Sequence, residues 1–180
     1  REDNELLTRV GPDTPMGDLL RRFWFPILLS EEIPDPDSDP MRVKVLGEFF
    51  VAFRDTAGRL GLLDARCPHR GADLSYGMNE EGGLRCRQCY WKFDVDGKIL
   101  DLPMEPEDSP LWKEVKAPAF KISEYGGLVW AYVGPQDDLP DLPEFEWSRV
   151  EADQRHVSRF LVECNYWQGV EGGLDASRVA

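Results

Sequence analysis

CPHRGADLSYGMNEEGGLRCRQCYWKFDVDGKILDLP, residues 67–103, is the stretch on which the reading of this chain turns. It carries three of the four cysteines and one of the two histidines. They fall in two short pairs, Cys67 with His69 as C-x-H and Cys86 with Cys89 as C-x-x-C. Thiolates and imidazoles bind soft and borderline metals, and two such pairs on two loops can converge on one centre if the loop tips meet. A lone C-x-H is a weak signal. Two pairs within one stretch, each beside turn-forming residues, are a much stronger one.

Outward from this stretch, short strands dominate. Residues 42–46, 49–54 and 59–63 are strand candidates, separated by Gly47-Glu48 and by Asp55-Thr56-Ala57-Gly58. Residues 84–86 lead into the second ligand pair, and residues 93–100 form a hairpin around Asp96-Gly97. Residues 114–116, 119–123 and 128–133 close the set, with Gly126-Gly127 turning the last pair. Many short strands with regular turns predict a mainly β fold, a small antiparallel barrel or sandwich. On the N-terminal side, residues 4–10 suggest a short helix. A second helix has Thr14 as N-cap, Pro15 at its first position and an apolar face of Leu19, Leu20, Phe23 and Trp24 that ends at Pro26; those aromatics read as core or interface. Residues 31–40 and 104–112 are proline- and acid-rich loops, and 134–143 is a Pro/Asp linker. Beyond it, residues 157–162 read as a strand and 164–170 as a helix start. That tail is too short to bury a core of its own. His156 reads as a surface residue, and the isolated Cys164 as buried and inert.

Bulk properties exclude several classes. The 180 residues carry 34 acidic and 21 basic side chains, a formal charge of −13. That balance repels phosphate backbones, so nucleic acid is not expected as a partner. The acidic surface is either simply solvated or a docking face for a basic electron-transfer protein. No apolar run approaches a membrane span, and residues 23–29 are far too short for one. Clustered cysteines beside a histidine do not form a disulfide framework, which suggests a reducing, cytoplasmic setting.

The ligand stretch resembles the Rieske [2Fe-2S] domain of ring-hydroxylating oxygenase α-subunits, in the phthalate-dioxygenase-like branch. The family pattern is C-x-H, a spacer, then C-x-x-H-G-W and a strand. Cys67, His69 and Cys86 match its ligands, and Trp91, Lys92, Phe93, Asp94, Asp96 and Gly97 match its tryptophan, strand and turn. Cys89 stands where the family has its second histidine, and Tyr90 where it has glycine. TPMGDLLRRFWFP, residues 14–26, is similar to the N-terminal segment of the same branch. The tail from Cys164 is similar to the opening of the catalytic domain: Asp175 matches the aspartate that bridges the two metal sites, and Arg178 replaces the first iron-ligand histidine. Arginine stays protonated and cannot ligate.

This resemblance implies an N-terminal helical segment and loop over 1–40, a Rieske-like domain over 41–134, a linker over 135–150 and the truncated start of an α+β catalytic domain over 151–180. It implies electron relay from a ferredoxin or flavin reductase toward a mononuclear iron in aromatic hydrocarbon catabolism, within a homo-oligomer, a trimer in the family. The mononuclear iron is not expected in this chain, which alone is not expected to catalyse oxygenation. For the site itself three occupants stay open. Cys67, His69, Cys86 and Cys89 hold a [2Fe-2S] cluster with one extra thiolate, or zinc in a structural module, or nothing. The two departures, Cys89 and Arg178, are either charge compensation through Asp175 or independent losses.

Overall fold

The computed structural model describes residues 2–175. Ten strands fall into three antiparallel sheets. The first joins β1 (Phe25–Leu29), β10 (Leu128–Tyr132) and β9 (Lys121–Tyr125) in that order. The second is the meander β2 (Met41–Val45), β3 (Glu48–Arg54) and β4 (Leu60–Asp64). The third runs β5 (Met78–Glu80), β6 (Gly83–Arg85), β7 (Lys92–Phe93) and β8 (Ile99–Asp101). None of the three closes on itself, so the sandwich expectation stands and the barrel does not.

The second sheet is the middle layer, and the composition of β3 explains why. Its run EFFVAFR is apolar at successive positions, as a strand covered on both faces must be. With side chains alternating across the sheet, Phe50 and Ala52 enter one buried cluster with Ile27, Leu28, Val129 and Ala131 of the first sheet. Val51 and Phe53 enter a second cluster with Leu84, Trp91, Phe93 and the cysteines Cys67 and Cys86. The loops that carry the candidate ligands are therefore anchored in a core rather than draped over one. Backbone bonds from Asp64 N–H to the Pro118 carbonyl (2.9 Å) and from Phe120 N–H to the Leu62 carbonyl (2.8 Å) lead the chain from the middle sheet toward β9.

Four helices are short: α1 (Glu2–Thr8), α2 (Pro15–Leu20), α3 (Leu111–Glu114) and α4 (Tyr166–Leu174). Thr14 caps α2 as expected, accepting from Gly17 N–H at 3.2 Å. Its predicted extension through Phe23 and Trp24 does not form. Residues 25–29 make a strand instead, although it contains Pro26. A proline lacks the N–H for a ladder, and β1 tolerates it because it is an edge strand with an irregularity between Pro26 and Leu28. Trp24 turns toward the linker, donating to the Pro140 carbonyl at 2.9 Å. The expected strand at 114–116 is the end of α3 followed by a lone bridge between Lys98 and Lys116.

No strand forms at 157–162, which is irregular and leaves Phe160 and Leu161 exposed. Arg159 ties it to the first sheet by donating to the Ile27 carbonyl at 3.0 Å and pairing with Glu32. Among the described residues, no helix is long and apolar enough to cross a membrane.

Asp55 pins the turn between β3 and β4. It is fully buried and accepts from Ala57 N–H (3.0 Å), Arg59 N–H (2.8 Å) and the Arg59 guanidinium (2.8 Å). Removing the carboxylate takes the partner from the Ala57 and Arg59 N–H groups, while the Arg59 guanidinium, 57% exposed, turns to water. Asp55→Ala is expected to cost roughly 3 kcal/mol, and hence to lower Tm by roughly 6–12 °C. A melting point within about 2 °C of wild type would show that water replaces the carboxylate at no cost.

Candidate metal centre

Both ligand loops are closed by the same pair of backbone bonds. In the first, which comes after β4, Cys67 N–H donates to the Ala72 carbonyl and Gly71 N–H donates back to the Cys67 carbonyl, each at 2.8 Å. In the second, between β6 and β7, Cys86 N–H donates to the Trp91 carbonyl and Tyr90 N–H donates back to the Cys86 carbonyl, each at 2.9 Å. Each loop thus starts at a cysteine, and the residue four positions on turns the chain back. That residue sits in the left-handed region in both loops, Gly71 at φ +73° and Tyr90 at φ +61°. The geometry asks for glycine; one loop supplies it and the other bends a tyrosine into its place.

The loops bring three thiols together. The sulfurs of Cys67, Cys86 and Cys89 all lie within 4.8 Å of one another, with Cys67 and Cys89 at 3.6 Å. Cys67 and Cys86 are buried and Cys89 is partly so. All are free thiols, as the sequence predicts. Burial pushes the Cys67 thiol up, against the pull of the His69 N–H. Burial acts the same way on Cys86, but the N–H groups of Cys89 and Gln88 outweigh it and hold this thiol below its ordinary value. Cys89 is pushed up by burial, opposed by the Trp91 N–H.

His69 stands apart from the thiols. It is exposed, and its ring stacks on the buried Trp91 with centroids 4.5 Å apart and planes 17° from parallel. Cys67, His69, Cys89 and Trp91 nonetheless border one cavity of about 210 Å³, with Arg70, Tyr90 and Met104 at its rim. Trp91, which matches the family's tryptophan, is the shelf on which the imidazole rests.

This donor set fits an iron–sulfur group. Three adjacent sulfurs cannot all ionise without a cation among them, because like charges raise one another's pKa. The N–H groups aimed at the sulfurs stabilise the ionised form once such a cation is there. Which N–H group faces which sulfur is set by the fold of each loop and carries no residue signature.

Asp175 comes directly after α4, and Arg178 lies outside the described residues. Cys164 is exposed rather than buried, since residues 157–163 hold no strand against which it could pack. His156 is exposed, as expected.

Comparison with known proteins agrees with this site. The family model for the Rieske [2Fe-2S] domain matches residues 23–122, and the chain belongs to that family. Within it, the chain falls among the oxygenase subunits of the phthalate-dioxygenase-like branch. It is 44% identical over 176 residues to the phthalate 4,5-dioxygenase oxygenase subunit of Pseudomonas putida, a match covering 98% of this chain and 40% of the relative. It is 42% identical over 177 residues to the 3-chlorobenzoate-3,4-dioxygenase oxygenase subunit of Comamonas testosteroni, with the same coverage. Among solved structures, dicamba monooxygenase with non-heme iron and dicamba superposes with a TM-score of 0.61 at 27% identity, over 69% of this chain and 38% of that one. The chain thus spans about 40% of the length of the curated relatives it matches. A Rieske domain implies a [2Fe-2S] cluster, and nothing in these matches supports zinc.

Tyr90 gives the loop geometry a direct test. Tyr90→Gly is expected to be more stable than Tyr90→Ala by about 1 kcal/mol, the left-handed penalty less the extra chain entropy of glycine. Thermal melts of the two variants measure this. An alanine variant as stable as the glycine one would mean that the left-handed turn is not what constrains this position.

Proposed function

We propose that this chain is the electron-relay portion of a ring-hydroxylating oxygenase, with Cys67, His69, Cys86 and Cys89 holding a [2Fe-2S] cluster. The observation that carries the reading is the convergence of three thiols on two identically closed loops, each sulfur facing at least one backbone N–H. When bound, the cluster supplies a one-electron carrier.

The residues around it have separate tasks. Cys67 and Cys86, buried in the second core cluster, fix the inner side of the site. Cys89 supplies a thiolate where the family has an imidazole, and so adds a negative charge. His69 and Trp91 form the outer wall: the tryptophan face limits how far the ring swings and keeps one side of it dry. On this reading residues 41–134 form the relay domain, 135–150 the linker and 151–180 the start of a catalytic domain. A ferredoxin or flavin reductase supplies the electrons within a cytoplasmic homo-oligomer, and Asp175 lies on the route toward a mononuclear iron. The kinship with subunits that include the phthalate 4,5-dioxygenase one supports an aromatic substrate for the whole protein.

Two measurements test this. Protein purified without oxygen is expected to contain two irons and two acid-labile sulfides per chain and no stoichiometric zinc. Cys89→Ala is expected to lose most of that iron. Zinc at one per chain would overturn the cluster, and full iron in Cys89→Ala would remove Cys89 from the ligand set.

The second test is electrochemical. Extra thiolate charge favours the ferric state, so the wild-type potential is expected between about −400 mV, the all-cysteine value, and about −150 mV, the lower edge of the Rieske range. Cys89→His should raise it into that range. An unchanged potential would sink the assignment of Cys89 as a ligand.

A further inference from the structure

The two ligand loops bring one pair of thiols into contact, and it is not the pair that the sequence suggests. Cys86-Arg87-Gln88-Cys89 is a C-x-x-C run, the spacing of a dithiol contained in one loop. The fold instead sets Cys89 against the cysteine of the other loop. The Cys67 and Cys89 sulfurs are 3.6 Å apart, although the residues are 22 positions apart in the chain. A disulfide bond is about 2.05 Å long, so the two sulfurs need to close by only about 1.5 Å. Side-chain rotation can supply that shift while the backbone bonds that close each loop stay in place.

Access favours the same pair. Cys67 and Cys89 both border the cavity of about 210 Å³, whereas Cys86, 1% exposed, does not. The exposed Tyr90 and Met104 border it too, so the cavity opens to solvent. A small oxidant entering it reaches Cys89, the least buried of the three thiols, with the Cys67 sulfur already alongside.

We infer that Cys67 and Cys89 form a reversible disulfide in the chain before metal is inserted, and that this bond gates the loading of the site. The bond rests on the thiols alone; its role as a gate on cluster insertion rests on the relay reading above. The oxidant is a low-molecular-weight disulfide such as oxidised glutathione. The Cys89 thiolate attacks one of its sulfurs, breaks its S–S bond and displaces one small thiolate. The Cys67 thiolate then attacks the Cys89 sulfur of the mixed disulfide and displaces the second. Net, the two cysteines give up two electrons and two protons, and the oxidant leaves as two thiols. Burial keeps both cysteines protonated, which slows the attack without changing which sulfurs are neighbours.

A disulfide offers no thiolate to a metal, so the bond withdraws two of the four candidate ligands until a reductant returns them. An imidazole at position 89 could not form it. The residue that alters the ligand set therefore also adds a redox switch.

The test reads the bond directly. Cys164 is exposed, so Cys164→Ser is the background that prevents disulfides between chains. Trypsin cuts after Arg66, Arg70, Arg85, Arg87 and Lys92, which puts Cys67, Cys86 and Cys89 on three separate peptides. The full chain is stripped of metal by a chelator in dithiothreitol without oxygen and shown to be folded by circular dichroism. It is then equilibrated with oxidised glutathione, quenched in acid, alkylated and digested. The Cys67–Cys89 pair is expected in about tenfold excess over either other pair, with Cys86 alkylated. Cys89→Ser should abolish it. If the stripped chain does not stay folded, the loaded chain is given the same oxidant with the chelator, and the same bond should form as metal leaves.

The gate is read with cobalt(II), whose absorption reports thiolate ligation. The cross-linked chain is expected to bind it about tenfold more weakly than the reduced chain, and dithiothreitol should restore binding. A dominant Cys86–Cys89 or Cys67–Cys86 bond, or three alkylated thiols after the oxidant, overturns the proposal. Equal cobalt binding by the cross-linked and reduced chains keeps the bond and overturns the gate. A Cys67–Cys89 bond in a chain that holds no iron or sulfide as purified keeps the modification and removes the relay function.

Discussion

Three sulfurs within 4.8 Å of one another, two buried and one partly so, are the constraint on which this structure depends. Thiols so placed repel once ionised and are poorly solvated while neutral, so the fold must supply a rigid frame and donors around them. It does both with one device used twice. In each loop a cysteine pairs its N–H with the carbonyl five residues on and its carbonyl with the N–H four residues on. That closure frees the intervening N–H groups to point inward at sulfur. The frame holds because both cysteines that open the loops are part of a core cluster built from β3, β4, β6 and β7. Sheet packing sets where the loops start, and the loops then set where the sulfurs meet.

Much of this was legible from residue types alone. The strands at 42–46, 49–54, 59–63 and 128–133 each agree with the structure to within a residue at either end, because alternation and flanking turns mark a half-buried or doubly buried strand clearly. The hairpin predicted at 93–100 from its Asp96-Gly97 turn is the β7–β8 pair, whereas β5, three residues long, is too short to show any period. The strand at Phe25–Leu29 was hidden by Pro26, which reads as a stop until the edge position is known. The opposite error arose at 157–162, where an apolar run reads as a strand but finds no ladder among the described residues. A strand is a relation between two segments, and sequence pattern reports only one of them.

At the site, identity and spacing named the four candidate ligands but not their disposition. Nothing in C-x-H announces that the His69 ring lies flat against Trp91, a residue 22 positions away in the chain. Nothing in CPHRG or CRQCY marks their arginines as unpaired, because pairing depends on which carboxylates the tertiary fold brings near. The net charge of −13 pointed to a basic partner, if any. That charge is an average over the chain: most described arginines are spent on internal ion pairs, and Arg66, Arg70 and Arg87, which are not, stand at the ligand loops.

Cys89 and Tyr90 are best understood together. A thiol is a shorter ligand than an imidazole, so a cysteine at this position reaches a shared centre only if its loop lies close in. The loop does: the Cys89 sulfur is 3.6 Å from that of Cys67. Meanwhile the longer His69 side chain extends outward to the rim. Tyr90, immediately after, keeps the left-handed turn that aims the loop, at a backbone cost a glycine would not carry. Its side chain is directed to the exposed rim beside Arg70 and Met104 rather than inward. The two residues thus leave the inner frame intact and alter what it presents: one more sulfur inside, and one more aromatic ring outside at the rim.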